Sequence, residues 1–98
     1  MKKIRIGIIG TSDIAFRRFL PSLLKNNNFE YVGVASRDIN KTKIFVDTFG
    51  GRGYGSYYHI INDNSIDALY IPLPPALHFE WAKKALKNGK HVFLEKPF

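Results

Sequence analysis

The sequence predicts an α/β protein with a doubly wound parallel sheet and helices on both faces. Short β-branched runs alternate with segments of helical periodicity along the 98 residues, and clusters of turn-forming residues separate them. Strands that alternate with helices in this way pair in parallel through right-handed crossovers. The length limits the chain to one domain.

The first strand and the first helix are predicted within residues 4–24. Residues 4–9 are a β-branched run that ends at Gly10, which is typical of a buried strand. Residues 14–24 carry apolar side chains at helical spacing, and capping residue types precede them. Pro21 lies inside this helical pattern, so we expect a kink or a break there.

The middle of the chain predicts two more strands and two helical segments. Residues 31–35 form the second strand, and Asp38 is the predicted N-cap of a helix that ends at Gly50 and Gly51. Residues 53–55 are predicted to form a very short strand. Ser56 then caps a helical turn that extends through residue 61.

The last part of the chain predicts a fourth strand, a longer helix and a fifth strand. The fourth strand covers residues 66–71 and ends at Pro72, and Pro75 suits the first turn of a helix that extends to residue 88. The side chains of this helix that face inward are predicted to be Phe79, Ala82 and Leu86, with Ala85 beside them. Residues 91–94 form the fifth strand. Doubly wound sheets normally continue past this point, so we expect a chain truncated after the fifth strand.

Composition and charge exclude several classes of protein. The 45% hydrophobic and 23% charged residues are typical of a globular chain. No apolar run approaches the roughly 18 residues of a membrane span. The absence of cysteine excludes disulfides and thiolate sites, and it fits a cytoplasmic protein. The net charge is +7, but the basic residues are dispersed without interleaved aromatic residues, so we expect anionic ligands and no nucleic acid or membrane partner.

The turn after the first strand carries most of a dinucleotide fingerprint. Gly10 and Ala15 match the ends of the G-x-G-x-x-G/A pattern, in which a strand, a turn and a helix bind a pyrophosphate. Ser12 replaces the middle glycine, and its hydroxyl can cap the helix or donate to a phosphate. The predicted contacts are Gly10, Thr11, Ser12, Asp13 and Ile14. The alternative interpretation is a plain strand-turn-helix with a capping residue.

The end of the second strand favours a cofactor with a 2′-phosphate. An acidic residue at this point accepts hydrogen bonds from the ribose of NAD. Here Ser36 and Arg37 present a hydroxyl and a cationic fork, which suit the phosphate of NADP. We therefore predict NADP as the preferred cofactor and NAD as the other possibility. A solvated surface arginine is the alternative interpretation of Arg37.

Two more motifs lie where the fourth and fifth strands end. Leu73, Pro74 and His78 follow the fourth strand, where open α/β sheets bind ligands, although a capping or packing histidine fits equally well. The triplet 95–97 follows the fifth strand, and a partly desolvated Lys96 beside a nicotinamide can donate a proton. The bond between Lys96 and Pro97 can be cis. A solvated Glu-Lys pair is the alternative for this triplet.

The four motifs, in their order along the chain, give the sequence a resemblance to the Gfo/Idh/MocA family of NAD(P)-dependent oxidoreductases over residues 3–98. Residues 13–21 and 72–81 look most like the family's ketoreductases of nucleotide-linked deoxysugars. The resemblance implies an N-terminal Rossmann domain, of which residues 1–98 are a part, followed by a larger substrate domain beyond this chain. It also implies that Lys96 is the catalytic lysine, Glu95 a ribose contact and Pro97 a cis-proline. Pro75 departs from the family's frequent asparagine.

The resemblance implies hydride transfer between a nicotinamide cofactor and a sugar, a cyclitol or a nucleotide-linked sugar. We expect this chain by itself to bind the dinucleotide without turning over a substrate. The alternative is a non-catalytic module that self-associates or binds a partner chain. Because an incomplete sheet leaves an apolar edge and exposed helix faces, we also expect a homo-oligomer.

Overall fold

The computed structural model describes residues 2–93, and within them five strands form one parallel sheet. The strand order is β3-β2-β1-β4-β5, and every neighbouring pair is parallel. The strands are β1 (Ile4–Ile9), β2 (Phe29–Ala35), β3 (Arg52–Tyr54), β4 (Ala68–Tyr70) and β5 (His91–Phe93). This order places a topological switch point between β1 and β4, where open sheets of this kind bind ligands.

Four helical segments connect these strands. The segment α1 begins with the helical residues 13–14, continues as a π-helical turn, Ala15–Phe19, and ends as an α-helix, Leu20–Leu24. The segment α2 begins with a 3₁₀ turn, Ile39–Thr42, and continues as an α-helix, Lys43–Phe49. The helices α3 and α4 cover Tyr57–Ile61 and Pro75–Lys87. No helix in this part of the chain has the length and apolar character needed to cross a membrane.

The sheet is buried on both faces, which explains the nearly continuous apolar character of β1. Ile6 and Ile8 pack under α1 and α2 on one face, and Ile9 packs under α3 and α4 on the other. Each fully buried isoleucine contributes about 1.5–3 kcal/mol relative to an exposed one. Gly7 lets α3 approach, because a Cβ there would lie 2.8 Å from Cδ1 of Ile60. The predicted fold class is confirmed.

The predicted element boundaries differ from the observed ones by two residues or fewer. The strand β2 begins at Phe29, two residues before the predicted start, and β4 is shorter than the predicted 66–71. The helix α4 ends at Lys87, with Asn88 as its C-cap. Asp38 and Ser56 both cap helices as predicted, since their side-chain oxygens accept backbone N–H groups two residues later.

Of the two expected alternatives at Pro21, a kink or a break, the break is wrong, because the helix continues through the proline. Helical residues begin at Asp13 and continue to Leu24. The backbone N–H of Leu20 donates to the carbonyl of Ala15, five residues back, so the turn before the proline is widened. A wider turn moves the preceding carbonyls away from the proline ring, which has no N–H to offer them.

The predicted inward face of α4 is also wrong in part. Phe79 is 73% exposed and Leu86 is 61% exposed, whereas Trp81 is 9% exposed and Ala85 is fully buried. Ala82 is partly buried against the core, as predicted. The buried side of α4 contains Trp81 and Ala85, four residues apart. This side faces inward because the Trp81 indole packs against Tyr57 of α3. The pattern of large apolar residues therefore indicated a helix correctly but assigned Phe79 and Leu86 to the wrong side of it.

Candidate functional site

A cleft of about 370 Å³ lies at the carboxyl ends of β1 and β2, beside the segment that follows β4. Its lining residues are Gly10, Thr11, Ser12, Ser36, Arg37, Asp38, Lys41, Tyr57, Pro72 and Leu73. The structure thus brings together residues from the first three predicted motifs. Because the cleft lies at the switch point of the sheet, it has the position of a ligand site in this architecture.

Gly10 makes the turn that forms one wall of the cleft. Its φ is +106°, a conformation that side-chain-bearing residues rarely adopt. Its N–H donates to the carbonyl of Ala35 at 2.8 Å, which ties the end of β1 to the end of β2. A Cβ at this position would lie 2.8 Å from Cδ2 of Leu73. The absence of a side chain therefore lets Leu73 pack directly against this turn.

Ser12 begins the helix that follows this turn. Its Oγ accepts the N–H of Ala15 at 3.1 Å, and its carbonyl accepts the N–H of Phe16 at 3.2 Å. The hydroxyl proton remains available to donate into the cleft. The start of a helix carries a partial positive charge and unpaired N–H groups, so this wall of the cleft favours an anion.

Ser36 and Asp38 organise the turn after β2. Ser36 is buried, its N–H donates to the carbonyl of Tyr54 at 3.0 Å, and its Oγ accepts the N–H of Asp38 at 3.2 Å. The Asp38 carboxylate in turn accepts the N–H of Asn40 at 3.0 Å and caps α2. These bonds fix the direction in which the chain leaves β2, and so they fix the position of the Arg37 backbone.

Arg37 and Lys41 give the same end of the cleft two positive charges. Within residues 2–93, no carboxylate lies within ion-pair distance of either side chain. The central carbon of the Arg37 guanidinium lies 5.9 Å from the centroid of the Tyr57 ring. Sequence reasoning missed Lys41 and Tyr57. Lys41 could have been found from its place in the first helical turn after Asp38, close in sequence to Arg37.

Four of the predicted contacts do not line the cleft. Asp13 forms an exposed ion pair with Arg17 at 2.9 Å, and Ile14 and Pro74 are exposed outside it. His78 lies with its Nδ1 2.7 Å from the carbonyl oxygen of Ile71. Since a carbonyl only accepts, Nδ1 carries the proton and ties α4 to the end of β4. This bond supports the packing interpretation of His78.

The fourth motif, Glu95, Lys96 and Pro97, lies outside the described residues, and its roles stay predictions. The strand β5 pairs in parallel with β4, with Phe93 opposite Tyr70. The described chain therefore ends at the edge of the sheet that carries the cleft.

Two carboxylates at the opposite edge of the sheet have displaced pKa values. Hydrogen bonds from Ser65 and Tyr54 lower the pKa of Asp63 to about 2. Asp67 accepts from the side chain and backbone of Arg5 at 2.9–3.1 Å, and these bonds lower its pKa to about 2. Nearby, Lys90 donates to the carbonyls of Asp63 and Ile66, and burial lowers its pKa. None of these groups lines the cleft, and their hydrogen bonds hold neighbouring segments of the fold together.

Comparison with known proteins defines the class of the chain. The model of the Gfo/Idh/MocA oxidoreductase family, described as an NAD-binding Rossmann fold, matches residues 4–98. The chain belongs to this family, and its Rossmann-like fold is the one that the resemblance implied. The prediction of a nicotinamide dinucleotide as the cofactor is confirmed for the family.

Individual relatives are similar over almost the whole chain. An uncharacterized oxidoreductase of Rhizobium meliloti is 48% identical over 98 residues, which are 99% of this chain and 29% of that protein. The dTDP-3,4-didehydro-2,6-dideoxy-alpha-D-glucose 3-reductase of Actinomadura kijaniata is 45% identical over 94 residues, 96% of this chain and 28% of that protein.

A solved structure is equally similar. The crystal structure of a 3-ketoreductase from Actinomadura kijaniata, in complex with NADP and TDP-benzene, has a TM-score of 0.93 and 44% identity. The match covers 98% of this chain and 30% of that one. The chain thus spans less than a third of the length of these relatives.

Proposed function

We propose that this chain binds NADP(H) and serves as the cofactor-binding part of an oxidoreductase that acts on a keto group of a nucleotide-linked sugar. The observation that carries the proposal is the two-ended cleft. A glycine turn and a helix start form one end, and Arg37 and Lys41 form the other. A dinucleotide with a pyrophosphate and a 2′-phosphate carries negative charge that these two ends favour.

The glycine turn fits the pyrophosphate. Gly10 has a positive φ, and a Cβ there would collide with Leu73, so glycine allows both this turn and the packing of Leu73 against it. Thr11 and Ser12 line the same wall, where the helix start favours negative charge. Ser12 in place of a second glycine keeps this wall polar, since its hydroxyl caps the helix and still has a proton to donate.

The opposite end fits the 2′-phosphate. Arg37 offers up to five N–H donors and Lys41 offers three, and neither has a carboxylate partner in the described part of the chain. A nearby acidic residue normally selects NAD through its ribose hydroxyls. Here the Asp38 carboxylate already accepts the N–H of Asn40, so its charge is partly compensated at the start of α2.

The nicotinamide, when bound, supplies the hydride. We retain Lys96 as the proton donor, Glu95 as a ribose contact and Pro97 as the cis-proline beside them. The similarity to a 3-ketoreductase crystallised with NADP and TDP-benzene supports both the cofactor and the substrate class. Because this chain spans under a third of that relative, the sugar-reducing activity is proposed for a protein as long as the relative. Dinucleotide binding is proposed for the chain itself.

Titration of the chain with NADPH and with NADH tests the proposal. We expect tighter binding of NADPH, and we expect Arg37→Ala to remove most of the difference. Hydrogen bonds to charged groups contribute about 1.5–3 kcal/mol, so NADPH affinity should fall about 10- to 100-fold, and NADH affinity much less. The matched control is Arg18→Ala, which removes an exposed arginine outside the cleft. An unchanged preference for NADPH in Arg37→Ala would contradict the assignment.

We also propose that the chain self-associates. The exposed Phe79 and Leu86 on the outer side of α4 support this proposal, because large apolar side chains seldom stay in contact with water when a partner surface can cover them. Sedimentation velocity over a range of concentrations tests it, and a monomer throughout that range would exclude it.

A further inference from the structure

Tyr57 occupies an unusual position between the core and the cleft. It is the first residue of α3, and the Ser56 hydroxyl caps this helix by accepting the N–H of Tyr58. The Tyr57 side chain is only 6% exposed, and yet the residue lines the cleft beside Arg37. Its ring is therefore a fixed part of the wall.

Trp81 holds this ring in place. The two ring centroids lie 4.9 Å apart with the planes at 89°, an edge-to-face arrangement that aromatic pairs prefer. Because Trp81 belongs to α4 and is itself buried, the ring of Tyr57 is positioned by two helices at once. A surface that is fixed in this way can orient a flexible neighbour.

That neighbour is Arg37. Its guanidinium carbon lies 5.9 Å from the centroid of the Tyr57 ring, within the distance of a cation–π contact. Such a contact uses the flat face of the guanidinium and leaves the N–H groups in its plane free for a planar or tetrahedral oxyanion. An exposed arginine without this contact would pay rotamer entropy each time it bound a phosphate.

We infer that Tyr57 is a positioning residue for cofactor selection, whose ring holds Arg37 so that its N–H groups face the 2′-phosphate of NADP(H). The inference rests on the proposed function and adds to it a residue that does not touch the phosphate itself. It predicts that the discrimination between NADPH and NADH depends on an aromatic ring at position 57.

Substitution at position 57 separates this role from a purely structural one. We expect Tyr57→Leu to lower NADPH affinity about three- to tenfold more than NADH affinity, in line with the strength of a partly desolvated cation–π contact. Tyr57→Phe keeps the ring and should retain the preference of the wild-type chain. The matched control is Tyr58→Leu, which removes a ring that also packs against Trp81 but does not line the cleft, and so reports the effect of disturbed packing alone.

A double-mutant cycle gives the decisive readout. In the Arg37→Ala background, Tyr57→Leu should cause no further loss of selectivity, because the ring acts only through the guanidinium. If Tyr57→Leu does not fold, a Phe analogue fluorinated on its ring at position 57 keeps the shape and weakens the charge on the ring face. That analogue should lower the preference for NADPH relative to Tyr57→Phe.

The outcomes are distinct. Equal losses of NADPH and NADH affinity in Tyr57→Leu, additive losses in the cycle, or no effect of fluorination would overturn the role of Tyr57. Failure of the wild-type chain to bind either dinucleotide would instead overturn the proposed function. A wild-type preference for NADPH that persists in Tyr57→Leu would remove only this inference.

Discussion

Gly10, Arg37 and Tyr57 define the cleft through three different physical properties. Gly10 supplies a backbone conformation, Arg37 supplies charge, and Tyr57 supplies a rigid surface. The sequence identified Gly10 and Arg37 because a turn after a strand and a cation after the next strand are local signals. Tyr57 could not be found in this way, since it reaches Arg37 only when α3 packs beneath the end of β2.

Replacement of Gly10 by alanine tests the turn. The positive φ alone costs about 1–3 kcal/mol for a residue with a side chain. The new Cβ would also meet Leu73, which lines the cleft. We expect Gly10→Ala to lower both the free energy of unfolding, measured with urea, and the NADPH affinity.

Gly89 provides the control for this substitution. It also has a positive φ, +77°, but a Cβ there would meet no atom within 4 Å, and the residue does not line the cleft. Gly89→Ala should therefore lower stability without changing dinucleotide affinity. Equal effects of both alanines on affinity would mean that Gly10 acts only through general stability.

At the level of elements, the order of strands and helices was predictable because each buried strand is an apolar run and each helix has its own periodicity. The helix caps at Asp38 and Ser56 were also predictable, since capping depends on neighbours two residues away. The inward face of α4 was not. Its orientation depends on Trp81 meeting Tyr57, a contact between residues far apart in sequence. Tertiary packing thus decided between two plausible apolar stripes.

The bond between β1 and the start of β4 predicts a pH dependence of stability. Arg5 lowers the pKa of Asp67 from 3.8 to about 2 in the folded state. The unfolded chain therefore binds this proton at a higher pH than the folded chain does. Its stabilising contribution is present above the unfolded pKa and is lost as the pH falls through the folded value.

Urea denaturation at several pH values between 7 and 2 measures this effect. Asp67→Asn should lose stability at neutral pH and should show a weaker decline of stability with acid than the wild-type chain. Some decline should remain, because Asp63 also has a pKa lowered to about 2. The exposed Asp47→Asn is the control and should keep the wild-type profile. If the loss of stability with acid were the same in Asp67→Asn as in the wild-type chain, Asp67 would be excluded as a source of the pH dependence.

For the whole molecule, the strand order explains why distant segments meet. After β1 the chain adds β2 and β3 on one side of β1, and it then crosses to add β4 and β5 on the other side. The segments that follow β1, β2 and β4 therefore border one cleft. The sequence predicted this edge from motifs that all follow strands. It could not predict that Asp13, Ile14, Pro74 and His78 lie outside the lining, because that depends on the exact course of the turns. The roles of Glu95, Lys96 and Pro97 stay predictions.

Binding of the dinucleotide in the cleft can be observed residue by residue. Chemical shifts of the ¹⁵N-labelled chain should be recorded during a titration with NADPH. We predict that the largest changes fall on the amides of Thr11, Ser12 and Arg37, which border the cleft, while those of Gly89 and Lys90 at the opposite edge stay in place. Changes centred on another surface, or none at saturating NADPH, would contradict the binding of NADPH in this cleft.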